Sequence, residues 1–206
     1  MFQHFVTTTL ACIRLLHASP DAPAVDIYAN GSPIIQNFAF GQITQYACAR
    51  PGMYRITVYI AGATDTPIID TSLAVSMRMN VTLALAGFLQ NIDLLVVQEP
   101  PVFLNYANAL IRTVALLPDA PIVDVAGNGA VLFSNVTNGM ITNYIPLLRG
   151  VYTFDLRTTG TTQVLADAPN VMILPGKAYT IFALGLAAGN PPLQLLVAVD
   201  ANSFKR

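Results

Sequence analysis

The sequence predicts an all-β protein, built as two tandem immunoglobulin-like antiparallel β-sandwich domains preceded by a β-prone N-terminal arm. The chain repeats itself at an offset of 98 residues, and β-forming residues recur in short runs separated by Gly, Pro and Asn. Each copy is roughly 100 residues long, a common size for a β-sandwich.

The repeat is clearest where residues 13–27 return as residues 111–125, and it continues without a gap to Gly87 and Gly185. The matched positions are mostly turn residues, such as the Asn-Gly pairs at 30–31 and 128–129. An Asn-Gly pair tolerates the positive φ of a two-residue hairpin. Because turns set strand register, these positions predict the same strand plan in both copies.

Strands are predicted where Val, Ile, Thr, Tyr and Phe cluster, and no segment shows a sustained helical period. In the first copy the predicted strands are residues 11–17, 25–29, 34–38, 44–49, 54–60, 68–75, 81–88 and 94–98. The second copy follows the same plan and ends with a strand at 193–199.

The repeat also predicts the domain boundaries. These are an arm at residues 1–10, a first sandwich at 11–98, a linker at 99–110, a second sandwich at 111–200 and a C-terminal tail at 201–206. The linker is short and partly apolar, so we expect the two domains to pack against each other.

Composition narrows the possible partners. Charged residues make up 10% of the chain, against roughly 25% in an ordinary soluble domain. Hydrophobic residues make up 54%, and the formal net charge is −1. Such a surface has little electrostatic repulsion to keep copies apart. The basic residues are scattered, so we expect no nucleic-acid partner.

Two features of the sequence concern membranes and export. The longest uncharged stretches, residues 27–49 and 178–199, are interrupted by turn residues, so no transmembrane helix is predicted. The N-terminus has neither the basic start nor the long apolar core of a signal peptide, so we expect none.

Cys12 and Cys48 occupy non-equivalent positions, since their counterparts are Leu110 and Pro146. They therefore do not form a duplicated disulfide framework. One interpretation is two small buried thiols. The other is a crosslink between subunits, with Cys12 carried by the N-terminal arm.

The repeated Pro-Asp-Ala-Pro segment is predicted to be a stiff, non-helical corner between strands. Each proline fixes its own φ and favours an extended backbone conformation in the residue before it. Asp21 and Asp119 lie in this corner and can accept nearby backbone N–H groups in an Asx-type turn. Asp26 and Asp124 follow on the outgoing strand. The same four carboxylates are weak calcium candidates, because calcium requires several converging carboxylates. Turn capping and ion binding both stay open, and no cofactor is predicted.

His17, Ser19 and the neighbouring aspartates contain the residue types of a hydrolase triad. A triad is recognised by geometry, however, and residues two apart at a strand end do not supply it. The second copy has Ala115 and Leu117 in place of His17 and Ser19. We therefore predict no catalytic residue and no enzyme activity.

Residues 17–28, His-Ala-Ser-Pro-Asp-Ala-Pro-Ala-Val-Asp-Ile-Tyr, followed by Asn30-Gly31, resemble the bacterial family named domain of unknown function 4397. The second copy departs from this motif at Ala115, Leu117 and Ala126, and residues 189–196 look like members from spore-forming Firmicutes. The resemblance implies tandem β-sandwich domains in a surface or envelope setting, and no established activity. The expected location is the bacterial cell or spore surface, reached by cell lysis or another non-classical route.

The first functional hypothesis is a structural protein that self-associates into a homo-oligomer or polymer. Low charge and high apolar content favour packing between chains, and a duplicated module offers two similar surfaces for head-to-tail contact. Phe2, Phe5 and Val6 would add a strand to a neighbouring module by β-augmentation. Cys12 and Cys48 would then lie at the assembly contact.

The second hypothesis is an adhesin-like binding module that recognises a glycan or protein through its loops. Tyr28, Tyr46, Tyr54 and Tyr59 could line such a surface. The alternative is that these tyrosines belong to the core or to cross-strand pairs.

Overall fold

The structure is a computed structural model that describes residues 10–104 and 106–204. The first module contains β1 (Ala11–His17), β2 (Val25–Ala29), β3 (Ser32–Phe38), β4 (Ala47–Ala49), β5 (Gly52–Ile60), β6 (Ile69–Val75), β7 (Asn80–Ala86) and β8 (Asp93–Gln98). The second contains β9 (Asn108–Leu116), β10 (Val123–Gly127), β11 (Ala130–Val136), β12 (Ile145–Leu148), β13 (Gly150–Thr158), β14 (Val164–Ile173), β15 (Ala178–Leu184) and β16 (Gln194–Val199). Short 3₁₀ turns cover Leu89–Asn91 and Ala201–Phe204.

Each module is a sandwich of two four-stranded sheets, which confirms the predicted fold class. The outer sheets have the order β3-β2-β5-β6 and β11-β10-β13-β14, and the inner sheets have the order β4-β1-β7-β8 and β12-β9-β15-β16. Most neighbours are antiparallel, but β1 pairs parallel with β7, and β9 pairs parallel with β15. The chain therefore passes through the outer sheet before it returns beside its first strand.

The Asn-Gly pairs form the hairpins between β2 and β3 and between β10 and β11. Asn30 and Gly31 have φ of 48° and 77°, and Asn128 and Gly129 have φ of 49° and 85°. Two consecutive positive φ values are the mark of a type I′ turn, whose twist matches that of the flanking strands. The side-chain oxygen of each Asn also accepts a backbone hydrogen bond, from Arg55 of β5 for Asn30 and from Thr153 of β13 for Asn128.

Each module has an apolar core between its two sheets. In the first module this core includes Leu15, Val25, Ile27, Val58 and Leu83. In the second it includes Ile111, Val125, Phe154, Leu156 and Ile181.

A third apolar cluster lies between the modules and joins the two inner sheets. Its buried members are Leu16, Ala18, Ala84 and Val97 from the first module, and Val114, Leu116, Phe182 and Leu184 from the second. The inner sheets are consequently buried on both faces. Much of the apolar content that suggested packing between chains is thus buried inside one chain, and the equivalent faces of the two modules contact each other.

The ends of the second module differ from the predicted boundaries. Strand β9 begins at Asn108, inside the segment assigned to the linker. Ala201 and Asn202, assigned to a C-terminal tail, are buried. Asn202 accepts a hydrogen bond from Asn80 at 3.0 Å and donates one to the carbonyl of Pro100 at 2.9 Å. The last turn therefore packs on the first module.

No helix within residues 10–104 and 106–204 has the length and hydropathy needed to cross a bilayer.

Candidate functional site

The densest group of polar side chains lies between the modules. Arg14 and Arg112 occupy equivalent repeat positions, and each reaches into the other module. Arg14 Nη1 donates to the carbonyl of Val199 at 2.8 Å. Arg112 Nη1 donates to the carbonyl of Gln98 at 2.7 Å. Each Nε donates to a threonine of its own inner sheet, at 2.7 Å for Arg14 and 2.9 Å for Arg112. The contact therefore has an approximate two-fold symmetry.

Two carboxylates complete this intermodule cluster. Asp200 Oδ1 lies 2.9 Å from Arg14 Nη2, and Asp200 Oδ2 accepts the hydroxyl of Tyr144 at 2.5 Å. Glu99 accepts the hydroxyl of Tyr46 and the backbone N–H of Ala201. Acids and bases thus balance each other where water is excluded, as buried charges require.

Burial shifts the pKa of several groups in the intermodule cluster. Burial, and then the neighbouring charge of Asp200, raises the pKa of Glu99. Burial also raises the pKa of Tyr46 and of Tyr144 well above the usual range for a phenol. Perturbed pKa values often mark functional sites. Here, however, Arg112 is 2% exposed and Asp200 is 0% exposed, so a substrate has no access to them. The intermodule cluster holds the two modules together.

This cluster was not predicted from the sequence, although a signal was present. Three pairs of identical polar residues occur at the repeat offset: Arg14 and Arg112, Thr82 and Thr180, and Tyr46 and Tyr144. Identical polar residues outside turns indicate a contact that the two copies share.

Asp21 and Asp119 have the same role in their modules. Asp21 Oδ1 accepts the backbone N–H of Leu89 at 2.7 Å, and Asp119 Oδ1 accepts that of Ala187 at 2.9 Å. Both partners lie 68 residues away along the chain. The prediction of a local Asx-type turn is therefore wrong: each carboxylate ties its corner to the loop after β7 or β15.

Asp26 and Asp124 also act as acceptors for backbone N–H groups. Asp26 accepts from Asn37 at 2.7 Å and from Gly62 at 3.0 Å. Asp124 accepts from the equivalent Asn135 and Gly160, and these two hydrogen bonds lower its pKa. The carboxylate oxygens of both aspartates are thus engaged by the backbone.

The calcium hypothesis for Asp21, Asp26, Asp119 and Asp124 lacks a supporting cluster. Among the residues that the structure describes, no group of three or more His, Cys, Asp or Glu side chains could hold a metal ion. Equivalent structural hydrogen bonds in the two modules explain why each module carries a pair of aspartates.

His17 and Ser19 are both 0% exposed. His17 Nε2 lies 3.3 Å from the carbonyl of Pro23, and its ring packs near Phe38 and Phe40. Burial lowers the pKa of His17, which favours the neutral imidazole. A substrate could not reach either side chain without opening the core.

Cys12 and Cys48 face each other across the β1–β4 pair, with their Sγ atoms 3.4 Å apart. Cys48 is exposed, so the interpretation of two buried thiols is wrong for it. The crosslink between subunits stays a prediction. The other expected assembly residues, Phe2, Phe5 and Val6, lie outside the described residues.

The structure separates the four tyrosines that were considered for a binding surface. Tyr46 belongs to the intermodule cluster, and the hydroxyl of Tyr54 donates to the carbonyl of Arg50 at 2.9 Å. Tyr28 and Tyr59 lie together on the outer face of the outer sheet, on β2 and β5. Their rings meet edge to face, with centroids 5.7 Å apart and planes at 88°.

Tyr28 and Tyr59 line a shallow groove of about 180 Å³, which we call the tyrosine groove. Its other lining residues are Gly31 in the hairpin turn, Thr57 on β5 and Thr64 in the following loop. None of the described residues that line it is charged. Two half-buried phenol rings beside threonine hydroxyls form a surface that is part apolar and part hydrogen bonding.

The second module carries different side chains at these positions. Tyr28, Thr57 and Tyr59 are replaced by Ala126, Asp155 and Arg157. Arg157 pairs with Asp155, and its Nη1 reaches the carbonyl of Gly129, the counterpart of Gly31. The guanidinium therefore lies over the place that corresponds to the tyrosine groove.

The described fold is that of a tandem β-sandwich protein with an aromatic groove on its first module. The chain belongs to the family called domain of unknown function (DUF4397), whose profile matches residues 11–126 and 109–205. Among curated proteins, no sequence matches.

One similar solved structure is CBMbc (family CBM26) from Eubacterium rectale Amy13K, in complex with maltoheptaose. It is 8% identical to this chain, with coverage of 92% of this chain and 96% of that chain and a TM-score of 0.28. A likeness of this degree carries no weight for the ligand.

Proposed function

We propose that this protein is a non-catalytic binding module that holds a neutral glycan in the tyrosine groove of its first module. The observation that carries the proposal is the half-buried, edge-to-face pair of Tyr28 and Tyr59, beside Thr57 and Thr64, in a groove whose described lining residues are all uncharged. The sheet beneath is hydrogen bonded on both sides of β2 and β5, so the rings stand on a rigid support.

The chemistry of the tyrosine groove suits a sugar. An aromatic face carries partial negative charge, so it attracts the C–H groups on the apolar face of a sugar ring. Hydroxyls from Thr57, Thr64 and the phenols can then bond to the sugar hydroxyls. Tyrosine also supplies a large contact area at a low cost in conformational entropy.

The burial of the candidate catalytic residues supports a non-enzymatic role. His17 and Ser19 lie in the interior, and Glu99 and Asp200 lie between the modules. The titratable groups with strongly shifted pKa values in the intermodule cluster thus have structural partners within the chain.

A glycan array followed by calorimetric titration of the strongest hit tests the proposal. Tyr28→Ala and Tyr59→Ala should each lower affinity by about 2 kcal/mol, or roughly thirtyfold, as expected when a central aromatic contact is removed. Tyr106→Ala is a matched control, because Tyr106 is 93% exposed and lies in the linker. Affinity that is unchanged in both groove variants would overturn the assignment, as would an array without any bound glycan.

Self-association through residues 1–10 stays a prediction. Apolar composition gives less support to self-association than the sequence alone suggested, because the two apolar inner sheets already cover each other. A variant that lacks residues 1–10 should remain folded and form smaller particles by light scattering. An unchanged particle size would rule out self-association through residues 1–10 and leave the glycan proposal intact.

A further inference from the structure

We propose that the first module has a second, internal binding site, which takes the short alkyl chain of an uncharged amphiphile. The site is a cavity of about 260 Å³ between the two sheets of this module. It lies on the core face of the outer sheet, whereas the tyrosine groove lies on the opposite face. The inference is therefore independent of the glycan proposal.

The cavity opens between the edge strands β3 and β4, and its interior is aliphatic. Ile34 and Ile35 line it from β3, and Ala47 and Ala49 line it from β4. Its deeper wall is formed by core side chains: Ile13, Leu15, Ile27, Leu73, Val75 and Leu83. None of the described residues that line the cavity is charged, so a charged group inside it would lose its hydration without compensation.

The polar groups at the cavity are mostly engaged with the chain. The hydroxyl of Thr44 accepts the backbone N–H of Leu15 at 2.9 Å and donates to the carbonyl of Gln45 at 2.9 Å. Water needs two to four polar partners to be stable in a cavity. An engineered apolar cavity of about 150 Å³ stays dry and binds benzene. A larger aliphatic cavity therefore suits a hydrocarbon chain, with the polar head near Thr44 and Gln45.

The second module shows that the fold does not require this space. At equivalent positions Ala47, Ala49, Ile35 and Ile56 become Ile145, Leu147, Phe133 and Phe154, all of which are larger. Phe154 is 0% exposed. Its ring packs over Gly127, where an added Cβ would lie 3.2 Å from it. The same framework thus accommodates bulkier side chains at four of the lining positions, and an unfilled cavity of this size is costly.

Titration with 1-octanol, followed by calorimetry, tests the site. The wild-type protein should bind one equivalent, and saturating 1-octanol should raise its thermal midpoint. The double variant A47I/A49L installs the side chains of the second module and should lower the affinity by about tenfold or more. Without 1-octanol, the thermal midpoint of A47I/A49L should not fall below that of the wild-type protein, because the new side chains fill existing space. Ala130→Ile is the matched control, since Ala130 is exposed at the start of β11.

Other results would overturn the proposal. These are the absence of 1-octanol binding to the folded wild-type protein, and equal binding by wild type and A47I/A49L. If A47I/A49L fails to fold, Ile56→Phe is the alternative filling variant and should weaken binding in the same way. Binding that occurs only after deletion of residues 1–9 would mean that the chain fills the cavity itself, which also overturns the proposal.

Discussion

The two modules share one framework but differ in the space that they leave open. Both have the same strand order, the same Asn-Gly hairpins and the same hydrogen bonds from backbone N–H groups to Asp26 and Asp124. The first module keeps a tyrosine groove on its surface and an aliphatic cavity inside. In the second, Arg157 and Phe154 occupy the corresponding places.

The packing differs although the contact between the modules is shared. The inner sheet of the second module buries one face of the first module's inner sheet, and the reverse also holds. The differences between the modules can be tested by paired substitutions at equivalent positions.

The largest expected effect concerns the two buried arginines. Arg14→Ala should lower the free energy of unfolding by about 4 kcal/mol, because it leaves the carboxylate of Asp200 without its closest cation. Arg112→Ala should cost less, since Arg112 Nε lies 3.9 Å from Asp200. Urea unfolding followed by circular dichroism measures both. Equal losses would show that the two-fold contact is also energetically symmetric.

The next prediction compares the core of the second module, which contains Phe154, with the core of the first module, which borders the cavity. Phe154→Ala should cost about 3 kcal/mol, because it creates a cavity in a packed core. Ile56→Ala should cost about 2 kcal/mol, since Ile56 already borders open space. Thermal and urea unfolding of the two variants give the comparison. A larger loss for Ile56→Ala would mean that the first module is the better packed one.

A comparable effect is expected for the aspartates that both modules carry. Asp26→Ala should cost about 2 kcal/mol, because it leaves two backbone N–H groups without an acceptor. Asp124→Ala should cost somewhat more, because Asp124 also accepts the hydroxyl of Thr159. The thermal midpoint of the wild-type protein should not change when EDTA is added. A lower midpoint in EDTA, restored by calcium, would instead favour the calcium hypothesis for the aspartate pairs.

The smallest effect is a pH dependence that belongs to the first module alone. Burial lowers the folded-state pKa of His17 below its ordinary value of 6.5. The stability that neutral His17 contributes is therefore present above pH 6.5, and it is lost as the pH falls through the folded-state pKa.

His17→Ala, which matches Ala115 of the second module, should remove this decline in stability on acidification. Unfolding curves between about pH 7 and pH 5 measure the change. His4 is present in both proteins, so the difference isolates His17. Parallel pH profiles for variant and wild type would contradict this prediction.

The sequence by itself determined the local plan of the chain. The predicted strand at residues 11–17 agrees with β1, and that at 25–29 agrees with β2. These agreements arise because residue alternation and turn chemistry act over a few residues. The strand predicted at 44–49 is shorter in the structure, where β4 is Ala47–Ala49. The hydroxyl of Thr44 instead accepts a hydrogen bond from the backbone N–H of Leu15, a long-range contact that no local pattern encodes.

Only the tertiary structure decided which faces are covered and which are open. From the sequence, a charged residue such as Arg14 on a strand is expected to face solvent. It is buried because the inner sheet of the second module packs on it. Tyr28 and Tyr59 could not be told from Tyr46 and Tyr54 by sequence, since exposure depends on what packs above each ring. The cavity likewise arises from side-chain volumes summed across two sheets. Such long-range sums of volume and contact determine the candidate sites, whereas short-range periodicity determines the strands.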